Sequence, residues 1–60
     1  MKTYREILAA AESVHEALKT IARAHPDDDQ GMYAACAVID ADHAVMAISS
    51  LAELYEPTGA

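Results

Sequence analysis

Two acid–histidine pairs stand at the same spacing in this chain, Glu12-Ser-Val-His15 and Asp40-Ala-Asp-His43. Residues three apart on a helix share a face. Carboxylate and imidazole ligands at this spacing build di-metal sites inside four-helix bundles, provided both side chains project inward. Metal binding through Glu12, His15, Asp40 and His43 is therefore one chemistry to weigh. The run Asp27-Asp28-Asp29 is a second. A calcium loop of the EF-hand kind closes with a glutamate at its twelfth position. Counted from Asp27, that position is Val38. Helix capping is the better reading of the aspartates.

Nucleophilic chemistry has less to work with. Cys36 is the single cysteine, and no histidine lies within one helical turn of it. His43 is two turns away at about 3.6 residues per turn. A buried or interfacial thiol is expected, with no partner for a disulfide. Ser49-Ser50 falls inside an apolar helical stretch, not on the sharp strand-to-helix turn a hydrolase serine needs. Gly31 and Gly59 belong to no phosphate-cradling loop. The chain is expected to be non-enzymatic and to need no cofactor.

Two helices must position these residues. Thr3-x-x-Glu6 reads as a capping box. From there Tyr4, Ile7, Ala11, Val14, Leu18, Ile21 and His25 recur at alternating steps of three and four, the seam of a heptad repeat. Arg5, Glu6, Glu12, Ser13, Glu16, Lys19, Thr20 and Arg23 occupy the wet face. A proline disfavours helical backbone in the residue before it, so the first helix should stop near His25. Asp27-x-x-Gln30 reads as a second capping box, opening a helix that Pro57 ends. The expected fold is all-α: one domain over 1–60, with helix 1 about 3–25, a turn at 26–30, helix 2 about 28–55 and a frayed tail at 56–60. Two long helices joined by a short turn make an antiparallel hairpin. In that hairpin residue i should face roughly residue 55 − i. This sets His15 near Asp40 and Glu12 near His43, as cross-hairpin pairs able to respond to pH. It leaves neither acid–histidine motif with both ligands inward.

Composition explains why a hairpin alone is insufficient. Hydrophobic residues make up 53% of the chain, but fourteen are alanine and none is Phe or Trp. Below about 70 residues a single core rarely supplies more than roughly 3–5 kcal/mol. The second helix has more apolar surface than one neighbour can cover. Ala34, Ala37, Val38, Ala41, Ala44, Val45, Ile48, Leu51, Ala52 and Tyr55 form a broad arc that can meet the first helix. Met32, Ile39 and Met46, with Cys36 beside them, form a second stripe. Stripes of this kind mark interfaces. The expectation is a homodimer, two hairpins making a four-helix bundle.

Charge narrows the partners. The formal net charge is −6, and all four bases (Lys2, Arg5, Lys19, Arg23) precede residue 24. An acidic chain repels phosphates, which disfavours direct contact with nucleic acid. Asp42, Ser49 and Glu53 border the second stripe and are expected to meet a basic surface on another protein. The start MKTYREI lacks a hydrophobic signal region, and no apolar run reaches the roughly 20 residues of a membrane span. A cytoplasmic protein without membrane contact is expected. The functional expectation is a small acidic module that binds and modulates another protein, for example as an inhibitor. Two alternatives are an acidic mimic that blocks a nucleic-acid-binding protein, and a metal-binding carboxylate/histidine bundle.

Overall fold

A computed structural model describes residues 2–57. It contains two α-helices in mutual contact, α1 (Tyr4–Ala24) and α2 (Asp29–Tyr55), and no strand among the described residues. They form a hairpin 48 Å long. Its radius of gyration is 13.9 Å, where a compact chain of this length would have about 10 Å. Both helix boundaries fall within a residue or two of those expected from the sequence. The far end of the expected tail, residues 58–60, lies outside the described residues.

Local chemistry explains each end. The Thr3 hydroxyl accepts from the Glu6 N–H at 3.1 Å, and Glu6 Oε1 accepts from the Thr3 N–H at 3.2 Å, so the expected capping box is formed. At the turn, Asp28 caps α2 in place of Asp27: its Oδ1 accepts from the Gly31 N–H at 3.1 Å. Its other oxygen accepts from His25 Nδ1 at 2.9 Å. One carboxylate thus ties the C-cap residue of the first helix to the first turn of the second, which Asp27 does not do. Gly31 is buried, and a Cβ there would overlap the His25 carbonyl oxygen. Only glycine lets the chain cross so closely.

The open end carries a tie the sequence reading overlooked. Glu56 is not part of a frayed tail but the C-cap of α2. Its carboxylate accepts from the Tyr4 N–H at 2.9 Å and the Arg5 N–H at 3.1 Å. Its carbonyl accepts from Arg5 Nη2 at 2.9 Å and Nε at 3.2 Å. These contacts satisfy first-turn N–H groups that have no partner within α1, and they set a negative charge at its positive end. Tyr4 and Tyr55 stack at a tilt beside them, with ring centroids 6.4 Å apart.

Fixed at both ends, α1 turns a different face inward from the one expected. The contact seam uses Tyr4, Leu8, Ala11, His15, Leu18, Ala22 and His25, all half-buried. Ile7, Val14 and Ile21, assigned to the seam by spacing, are exposed. In heptad terms α1 is apolar at three columns, a, d and e, and one partner covers only two. The end ties and the packing of His15 select a and e. On α2 the seam is Gly31, Ala34, Val38, Ala41, Val45, Ile48 and Ala52, again a heptad pattern. Ala44, Leu51 and Tyr55, from the edge of the expected arc, remain exposed. Small residues bring the helices close, but they bury little. The only buried hydrophobic residues among those described are Ala34, 5% exposed, and Ala52, 1% exposed.

Gly31→Ala should force the turn apart and lower stability by about 1–3 kcal/mol, the usual scale of overpacking. Urea denaturation read by circular dichroism checks this, and a variant as stable as the parent would contradict the close approach.

Candidate interaction surface

The hairpin register follows from its contacts. His15 Nε2 lies 4.0 Å from Asp42 Oδ1. Together with the His25–Gly31 and Tyr4–Tyr55 contacts, this places residue i of α1 opposite roughly residue 57 − i of α2. The shift of two from the expected register separates His15 from Asp40 and gives it Asp42. It also leaves His43 on the outer side of α2, exposed, without the expected Glu12 pairing. Among the described residues, no three His, Cys, Asp or Glu side chains converge as a metal would require. Glu12, His15, Asp40 and His43 are therefore not brought together.

The His15–Asp42 pair also marks one flank of the hairpin. At about 100° per residue, α1 continues on this flank into Arg5, Glu12 and Lys19, and α2 into Asp42 and Ser49. In an antiparallel pair the opposite flank is then set as well. It carries Ile7, Val14 and Ile21 from α1, with Ala10 and Ala17 beyond them. It carries Ala37, Ala44 and Leu51 from α2. No charged residue stands in these columns, and Asp40 appears only at the rim. A shallow depression lined by Lys2, Tyr4, Ile7 and Glu56 extends this flank at the open end.

The second stripe lies elsewhere. Met32, Ile39 and Met46 are exposed along the outer edge of α2. Asp42 and half-buried Ser49 adjoin them on the polar flank, and exposed Glu53 continues their column. The oligomer-interface and partner-binding residues expected from the sequence thus form one continuous edge, with Cys36 beside it. That thiol is free and exposed on the outer surface of α2, so it is not buried within the hairpin. What spacing missed was the larger apolar flank. The triplet Ile7, Val14 and Ile21 had been used up as seam. The signal was present in the equal apolarity of Leu8 and Ala22, one residue further on.

Length and composition add a further fact about α2. Its 27 residues include a window of mean hydropathy 1.4, enough to cross a membrane by these measures. Helices in the core of soluble proteins meet the same measures, so length and composition do not by themselves place α2 in a membrane. The interruption by Asp40, Asp42 and His43 broke the apolar run without lowering its average below that of a span. Each aspartate would cost about 2.5–3.5 kcal/mol at the centre of a bilayer.

Two carboxylates have shifted acidities. Asp28 is held below the ordinary aspartate value of 3.8, first by the hydrogen bond from His25 and then by that from the Gly31 N–H. Glu16 is lowered by the hydrogen bond from Lys19, 3.0 Å away, and by its charge. No protein-family model, curated protein or solved structure matches the chain.

A carboxylate with a depressed folded-state pKa stabilises the fold above its unfolded value, and this stabilisation is lost as pH falls through the folded value. The Asp28 tie should therefore hold above pH 3.8 and weaken below it. Asp28→Asn keeps an acceptor oxygen but cannot titrate, so its melting temperature should fall less steeply than the parent's through this range. Identical slopes would remove Asp28 from the acid response. For the metal candidates, zinc or iron(II) should leave the melting temperature unchanged. A rise abolished by His15→Ala would reveal a site, since a ligand specific to the folded state stabilises it by mass action.

Proposed function

We propose that this chain is a non-enzymatic interaction module, a helical hairpin that associates with a second copy of itself and modulates another protein held against the outer edge of α2. The observation that carries this reading is how little the hairpin buries. Among the described residues, Ala34 and Ala52 are the only buried hydrophobic side chains, while ten large apolar ones stay in contact with water. Surfaces of that extent mark association sites. The Met32, Ile39 and Met46 stripe suits a hetero-partner. Methionine side chains adapt to irregular surfaces. The adjoining Asp42 and Glu53 give the edge a negative sign with no Lys or Arg on the same helix. A basic protein surface fits this combination. Exposed charges mainly steer the encounter, and apolar contacts set the residence time. A protein partner in the cytoplasm accords with the polar flank of α1, whose Glu12, Glu16, Lys19 and Arg23 favour water over lipid.

Affinity capture from the source cells with the parent chain and with an Asp42→Lys/Glu53→Lys variant tests this reading. The captured partner should present a basic face, and association should slow as ionic strength rises. The double variant should bind more weakly at unchanged helicity. Equal affinity of the two chains would leave the acidic edge as solvated surface. Binding to lipid vesicles in place of any protein would replace the proposed partner with a bilayer.

A further inference from the structure

We infer that the second copy docks on the charge-free flank formed by Ile7, Val14 and Ile21 of α1 and Ala37, Ala44 and Leu51 of α2, and that the methionine edge stays outside this dimer. This deepens the proposed association by naming its surface, and it moves the subunit contact away from Met32, Ile39 and Met46. Three observations carry it.

The first is the heptad pattern of both helices. A helix in a four-helix bundle touches two neighbours and needs three apolar columns of seven. In α1 the columns through Tyr4 and Leu8 face α2, and the column through Ile7 is the third. In α2 the columns through Gly31 and Ala34 face α1, and the column through Ala37 is the third. Both unused columns emerge on the same flank, so the hairpin presents one continuous face. The methionine column belongs to α2 alone, with Arg5, Glu12 and Lys19 on the neighbouring flank of α1.

The second is area. The chain exposes 4485 Å², while a folded monomer of 6.4 kDa would expose about 3,800 Å². The excess of roughly 700 Å² is close to the ~800 Å² that each partner gives to an interface of standard size. The third is charge. Two chains of net charge −6 repel, and they can approach closely only through a surface that carries no acid. The flank meets that condition between its ends, with Asp40 only at the rim and Glu56 only at the open end, and the methionine edge, with Asp42 and Glu53, does not. A second copy also matches the flank in length, because the apolar columns run nearly the whole of α1. Across them, bulky Val14 and Ile21 stand beside Ala44 and Ala37, the alternation that lets facing layers interdigitate.

Val14 and Ile39 make a matched pair for the test. In the hairpin they are 55% and 58% exposed, so an isolated monomer would tolerate a charge equally at either. Mass would be measured by analytical ultracentrifugation and helicity by circular dichroism, over a range of concentrations of the full chain. The parent should be a dimer whose helicity falls on dilution. Val14→Glu and Val14→Lys should each raise the dimer dissociation constant by roughly a hundredfold or more, the scale of an unpaired charge in an apolar interface. The lysine variant removes net charge, so general repulsion would not explain its effect. Ile39→Glu should leave the dimer intact. A parent that is monomeric and fully helical, or dissociation by Ile39→Glu but not by the Val14 variants, would overturn the inference. Either result leaves hetero-partner binding through Asp42 and Glu53 to be judged separately by the capture experiment.

Discussion

The carbonyl of His25 rests where any side chain at residue 31 would have to be. That contact, closed by Asp28 on one side and answered by Glu56 at the far end, fixes how α1 is rotated about its own axis. Rotation then decides which columns meet α2. A helix with three apolar columns and one neighbour must leave a column in water, and the end ties choose the one through Ile7. The rest of the surface follows from that choice. Polar residues collect on the His15–Asp42 flank, and apolar residues collect on the other.

This separation bears on function. Acidic residues on α2 and its flanks have no base on the same helix, yet they do not cluster at random. Asp28 and Glu56 are occupied at the two ends in holding the helices together. Asp42 and Glu53 are left facing outward beside Met32, Ile39 and Met46. One set of carboxylates serves architecture, and the other stands on the outer surface. In the proposed reading, the flank without charge serves self-association and the charged edge recognition of another protein.

Helix boundaries were legible in the sequence because they depend on local chemistry. Thr3 and Glu6, Pro26, the aspartate run and Pro57 punctuate the chain at positions the structure reproduces within a residue or two. The methionine stripe was legible for a similar reason, since its spacing of seven has no competitor on that side of α2. The rotation of α1 was not. Ile7 and Leu8 are adjacent and equally apolar, so spacing alone allows either to face inward. Only a contact across the hairpin separates them, and the register that would reveal it was displaced by two residues. Glu56 was hidden by the same error. With the turn centred one residue early, no residue of α1 stood opposite it, although Tyr4 and Arg5 had N–H groups in need of acceptors.

The two end ties differ greatly in how much chain they enclose. Asp28 joins groups three residues apart, whereas Glu56 joins groups separated by 51 and 52 residues. Closing a long loop costs more entropy than closing a short one. By loop-closure entropy alone, the turn at Gly31 is the end that closes at least cost and the Glu56 latch the end that closes at most. Amide protons near Tyr4 and Tyr55 should be the first to exchange with solvent, and those beside Gly31 among the last. The pole that holds both ends of the helices is thus also the one through which the hairpin opens.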